Sequence, residues 1–177
     1  MQDRASRNLI ETGLLDGRRT FTTNKKYGRF LRPRKKGLYN AKPVGLWYAM
    51  EDSWIDWCLG EDFGGIGKYV YDIELNPEAN IKFLDTVDDV LSFSKKYKRT
   101  DGFYANFPSV FINWERVMSE YDGIEIDPYF HELRFEHDLM WYYGWDVPSG
   151  CLWKASTKKK ITLIAEYSER KNKFVIL

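Results

Sequence analysis

The sharpest alternation of apolar and polar positions runs over residues 69–75 (YVYDIEL) and predicts a β-strand. Shorter strand patterns occur at 45–50 (GLWYAM), at 81–84, after the turn in 121–126 (YDGIEI), and at 151–154, 161–167 and 173–177. The last two are spaced to pair as a hairpin around 169–172. Helical spacing takes over at Val87, Val90, Leu91 and Phe93, with Thr86 as the opening cap and Asp88 and Asp89 in the first turn. A second helix is expected over 113–121, with Trp114, Val117 and Met118 on one face. A third is expected over 54–59, capped by Ser53, with Glu51 and Asp52 near its positive N-terminal end. Residues 130–141 also read as helical, and 4–15 as a short helix whose apolar face is Leu9, Ile10, Leu14 and Leu15, stopped by Gly17. Residues 21–36 read as basic and irregular, apart from a short strand over 27–32 (YGRFLR) with Phe30 inward. The 60–67 and 102–111 stretches are loops. The sum is an α+β fold: short mixed or antiparallel strands with three or four helices.

At 177 residues the chain fits one compact domain. It reads as a basic arm over 1–36 ahead of, and overlapping, a single α+β body over 27–177. Cys58 and Cys151 are the only cysteines, which excludes a disulfide framework and a CxxC pair. No run of 18 apolar residues and no signal-like segment is present, so a cytoplasmic protein with no membrane partner is expected, in its own cell or a host's. The net charge of +1 conceals an asymmetry. Residues 1–36 carry eleven Lys/Arg against three Asp/Glu, a charge of +8, and the remainder carries −7. Such an arm suits phosphate or an acidic partner, or it is a solvated terminus.

Several familiar chemistries are excluded. Gly64, Gly65, Gly67 and Lys68 suggest a phosphate cradle, but Asp62 stands where a P-loop needs glycine, and Tyr69 where it needs Ser or Thr. His131 and His137 are six residues apart, so they share no helical face, and HExxH is absent; no metal is expected. No GxSxG elbow occurs.

Residues 42–58 (KPVGLWYAMEDSWIDWC) are more informative. The strand sends Trp47 and Tyr48 to opposite faces. Trp54 and Trp57, three apart, share one face of the following helix. An aromatic on the strand facing an aromatic on the helix makes a slot for a flat heteroaromatic ring, with Ser53 at its edge to bond an amide. The same pattern also arises where the tryptophans pack the helix on the strand. The seven Trp and twelve Tyr of the chain keep both readings open, since each of these rings seeks one polar contact.

The stretch GLWYAMEDSWIDWC resembles ADP-ribosyltransferases of the diphtheria-toxin and poly-ADP-ribose polymerase kind. The resemblance implies a split β-sheet and a nicotinamide site in which two aromatics hold the ring and a serine binds its carboxamide. The first aromatic matches Trp47, beside Tyr48; the alanine matches Ala49, the serine Ser53, and the second aromatic Trp57 or Trp54. It further implies an upstream cofactor-holding Arg, matched by Arg32 or else Arg29. Downstream, a Tyr-Asp-Gly strand is similar to Tyr121-Asp122-Gly123, and a following acid is matched by Asp146, with Glu125 as second choice. No histidine precedes residue 131, so a histidine cannot take the upstream place.

What the resemblance implies is a toxin-like, nucleotide-binding glycosyltransferase. It would use NAD as substrate, without a metal, and pass ADP-ribose to a protein or nucleic-acid acceptor or to water. Cleaving the nicotinamide–ribose bond passes through an oxocarbenium-like state, which a fixed carboxylate stabilises. The alternative is a non-catalytic module. There the basic arm and its aromatics grip single-stranded nucleic acid, or an aromatic surface meets a protein partner.

Overall fold

The computed structural model describes residues 9–10, 13–27, 42–106 and 109–177. Arg29 and Arg32, the strand expected over 27–32 and most of the helix expected over 4–15 lie outside the described residues.

Alternation at 69–75 yields β3 (Tyr69–Leu75), and the short apolar run after Asn80 yields β4 (Ile81–Leu84). Thr86 then caps α2 (Val87–Tyr97) through a reciprocal box: its hydroxyl accepts from the Asp89 N–H, while the Asp89 carboxylate accepts from the Thr86 N–H. Asn113 caps α3 (Trp114–Glu120) by accepting from the Arg116 N–H. After α3, β5 (Gly123–Ile126) runs parallel to β4, as a helical crossover permits. The remaining strands are β1 (Arg19–Thr23), β2 (Leu46–Met50), β6 (Ser149–Leu152), β7 (Lys158–Ser168) and β8 (Lys173–Ile176). Helix α1 (Ser53–Gly60) follows β2, and α4 (Met140–Tyr143) precedes β6.

Among the described residues, eight strands join one sheet in the order β4-β5-β6-β2-β1-β3-β7-β8, with only β4 and β5 parallel. The architecture is α+β, as expected. β7 and β8 form the expected hairpin. Across one face, α2, α3 and α4 bury Phe93, Trp114, Val117, Trp141 and Trp145 against Ile124, Ile126 and Cys151. Trp141 is almost fully enclosed because its indole N–H donates to Ser94 Oγ at 2.8 Å. A second cluster packs Ile10, Leu15 and Ile55 on Val70, Ala165 and Phe174. A third is aromatic: Phe21 stacks on Tyr71 at 5.1 Å, with Tyr48, Ile73 and Leu152 around them.

Three expectations need correction. Residues 19–23, placed in the basic arm with 21–23 read as irregular, form an interior strand. The charges at its start are paired at long range, Arg18 with Asp72 at 2.8 Å and Arg19 with Glu125 at 2.6 Å. Residues 130–141 are not one helix. They make 3-10 turns at His131–Leu133 and His137–Leu139 before α4, because the Tyr142 hydroxyl and Leu133 and Leu139 are drawn to the core from separate turns. Ser53 does not cap α1. Asp52 holds that position without a side-chain bond, and the Ser53 hydroxyl donates to Met50 O at 2.6 Å.

Gly67 fixes one wall of the site described below. A Cβ there would lie 2.4 Å from Thr23 N, so only glycine lets the loop meet β1. Gly67→Ala is expected to destabilise the protein by about 1–3 kcal/mol. Gly64→Ala, which meets nothing within 4 Å, should be close to neutral. Urea unfolding of the pair checks this, and equal losses would show that the close approach does not matter.

Candidate functional site

The site begins where the sheet opens. β1 and β2 pair only at Arg19↔Met50 and Thr20↔Ala49. Beyond that corner β1 follows β3, and β2 follows β6. Continued pairing would set Phe21 opposite Tyr48, Thr22 opposite Trp47 and Thr23 opposite Leu46. Instead all six residues line a cavity of about 820 Å³, within the range of small-molecule and cofactor sites. Two glycines press the walls outward. Gly67 lies against Thr23, and Gly45 sits where a Cβ would meet Leu152 O at 2.4 Å. The sheet is thus two wings joined at one corner.

Aromatic rings and a few charges face this space. Trp47, Trp54 and Trp145 line it, with Tyr27 and Tyr48. Lys42 Nζ lies 5.0 Å over the Trp47 ring and 3.9 Å from Asp146 Oδ2, while Arg134 Nη2 donates to Asp146 Oδ1 at 3.3 Å. Asp146 therefore faces the cavity held by two cations. Burial pushes the Lys42 ammonium below the ordinary lysine range, against the opposing pull of Asp146. The buried Trp145 Nε1 and Tyr27 hydroxyl find no hydrogen-bond partner among the described residues.

The expected residues divide. Trp47, Tyr48, Trp54 and Asp146 line the cavity; Ser53, Trp57 and Glu125 do not. Trp47, Ser53 and Trp57 therefore do not converge on one cleft. The Ser53 hydroxyl is spent on Met50 O, closing the β2–α1 turn in which Glu51 takes a φ of +57°. Trp57 stacks behind Trp54 at 5.1 Å and is covered by Phe63 at 5.3 Å. Of the two tryptophans on α1, Trp54 is the one at the cavity.

Glu125 belongs to a buried network that the sequence pattern does not disclose. Arg19 Nε and Nη2 donate to its two oxygens at 2.6 and 2.8 Å, and the Tyr48 hydroxyl donates to Oε2 at 2.5 Å. Glu125 pairs across the ladder with Gly150, and Gly150 with Tyr48. A Cβ at Gly150 would sit 2.3 Å from the Tyr48 ring, so the missing side chain gives the phenol its path to Glu125. The hydrogen bonds to Glu125 raise the Arg19 pKa, while burial and then the Glu125 charge push the Tyr48 phenol well above its ordinary value. Arg19 was missed because it looks like one more charge of the basic arm. The available signal was the run of β-favouring Thr and Phe in the RTFTT of β1.

No group of three or more His, Cys, Asp or Glu is brought together as a metal site among the described residues. No helix there is long and apolar enough to cross a membrane.

Removing Arg19 leaves Glu125 buried without its cation. Arg19→Met should cost about 3 kcal/mol or more, and Arg19→Met with Glu125→Leu should recover most of it. Equal losses in urea unfolding of the single and double variants would show that the pairing is unimportant. The lysine makes a second prediction. A base whose folded pKa is depressed is bound by more protons in the unfolded state, so it costs stability at neutral pH, and that cost fades as pH rises through the folded pKa. Lys42→Met should therefore raise the melting temperature at pH 7, and its advantage should narrow in alkaline buffer; a constant or growing advantage contradicts the assignment. No protein-family model, curated protein or solved structure matches this chain.

Proposed function

We propose that the protein cleaves NAD at the nicotinamide–ribose bond and transfers ADP-ribose to a macromolecule or to water. The observation that carries this reading is the wedge between β1 and β2. It is large and aromatic-lined, with the Asp146 carboxylate and the half-buried Lys42 ammonium on one wall. Trp47 and Trp54 supply flat apolar surface for the nicotinamide, and Trp54 takes the role that the resemblance leaves between Trp54 and Trp57. Lys42 neutralises diphosphate charge as a point cation on the cavity wall. The Thr22 hydroxyl, whose oxygen accepts from the Gly67 N–H, offers its proton to a ribose.

The chemistry balances without a redox partner. The C1′–N bond of the ribose breaks, its electron pair leaves with neutral nicotinamide, and the ribose carries positive charge. Asp146 stabilises that charge and accepts the proton of the incoming hydroxyl or water. Glu125 stands behind Tyr48, with both oxygens engaged by Arg19 and Tyr48. On this reading Glu125 is a positioning residue for the β1–β2 corner, and Asp146 is the catalytic carboxylate.

Nicotinamide release from NAD is the direct test. Asp146→Ala should lower it by about 100-fold or more, and Trp47→Ala should raise KM. No release together with no NAD-dependent rise in melting temperature defeats the reading. Activity kept in Asp146→Ala but lost in Glu125→Gln moves the catalytic role to Glu125.

One observation favours a second reading, a nucleotide-binding module without catalysis. Both candidate carboxylates already carry cationic partners. Such a module shows the thermal shift with NAD and no nicotinamide release.

A further inference from the structure

Lys42 is held in the cavity by what surrounds it. Its aliphatic stem crosses Gly144, where a Cβ would lie 2.8 Å from Lys42 Cε. Its Nζ sits 5.0 Å over the Trp47 ring and 3.9 Å from Asp146 Oδ2. The amine therefore stands on the cavity wall beside a carboxylate whose other oxygen is engaged by Arg134 at 3.3 Å. We propose that Lys42 is a nucleophilic amine that forms a Schiff base with an aldehyde carrying a phosphate group. This goes beyond the NAD reading, which uses Lys42 only as a cation, and does not rest on it.

A Schiff-base lysine needs a share of neutral amine and a neighbour that moves protons. Burial lowers the Lys42 pKa, and this outweighs the opposing pull of Asp146. Arg134 weakens that pull by sharing the same carboxylate. The more exposed Lys96 and Lys159 lie against surface carboxylates, outside the cavity. In the reaction the neutral Lys42 nitrogen attacks the carbonyl carbon. Asp146 carries the two nitrogen protons in turn to the carbonyl oxygen, which departs as water. One C=N bond replaces the C=O bond, and no oxidant or reductant enters.

The lining sets the class of aldehyde. Leu46, Ala49 and Val147 give the cavity apolar wall for the body of the ligand. Lys25 and Lys26, on the segment that follows β1, line the same cavity and are exposed. Among the described residues Asp146 is the sole acid on the lining, against three lysines, so the cavity favours an anion. Two adjacent ammonium groups match the two charges of a phosphate monoester. Lys25 and Lys26 then hold the phosphate, while Lys42 meets the carbonyl.

The test is reductive trapping with pyridoxal 5′-phosphate and borohydride, without NAD, followed by peptide mass mapping. At limiting reagent the label should fall on Lys42 ahead of Lys159, although Lys159 is the more exposed side chain, at 59% against 40%. Lys42→Arg keeps the charge but cannot form the imine, and should lose the label. Gly144→Ala, whose backbone at φ −74° suits alanine, displaces the stem and should slow labelling of Lys42. Asp146→Asn should slow it by about 100-fold, and Lys25→Gln with Lys26→Gln by about tenfold. Glyceraldehyde 3-phosphate, run in parallel, distinguishes a sugar aldehyde from an aromatic one. Trapping of either at Lys42 supports the proposal, and trapping of neither overturns it. Label spread over the lysines by exposure also overturns it, as does undiminished labelling of Lys42 in Gly144→Ala or Asp146→Asn. Because NAD is absent, failure of nicotinamide release leaves this result standing, and failure here leaves the NAD reading standing.

Discussion

The sheet depends on one buried ion pair. Its two wings share only two residue pairs, at the β1–β2 corner. Arg19 stands at that corner, on β1, and reaches past β2 and β6 to hold Glu125 on β5. The guanidinium therefore bridges the wings where backbone hydrogen bonds run out. The fork geometry matters, because two parallel N–H bonds fix direction as well as distance. A lysine supplies charge without that alignment. Tyr48 adds a third bond from the strand between them, so the carboxylate is satisfied in a place where an unpaired charge would be very costly.

What the clamp makes possible is the gap beside it. Strands that continued to pair would fill the wedge with each other. Held at one end only, they leave Trp47, Trp54, Lys42 and Asp146 facing a recess instead of a ladder. The protein arranges its carboxylates differently on the two sides of β2. Glu125 is enclosed and fully bonded, and it contributes geometry. Asp146 is on the cavity wall, tethered at longer distances of 3.3 Å by Arg134 and 3.9 Å by Lys42.

Much of the fold was legible in the chain because local signals agreed with tertiary needs. The alternation of 69–75, the Thr86–Asp89 cap and the hairpin around 169–172 each carry their own information. Elements whose logic is non-local were not legible. β1 is hidden among charges because the partners of Arg18 and Arg19 lie at Asp72 and Glu125. The 130–141 segment looks helical by its apolar content, yet the core draws on it turn by turn. Around the cavity, sequence spacing singled out β2 and α1, both of which border it. It could not tell which tryptophan of a stacked pair faces outward, nor that the backbone at Met50 consumes the Ser53 hydroxyl.

Gly150 carries a consequence for how such a chain can diverge. Its bare α-carbon is the passage through which the Tyr48 phenol reaches the carboxylate. Any side chain at 150 evicts the phenol. A carboxylate without the phenol leans wholly on Arg19, and Arg19 without the carboxylate has no reason to be enclosed. These four positions form an interlocked set in which a lone replacement is penalised and only a concerted one is tolerated. Drift at this corner should therefore proceed by jumps: related chains should carry either the whole quartet or a wholly different solution, with few intermediates.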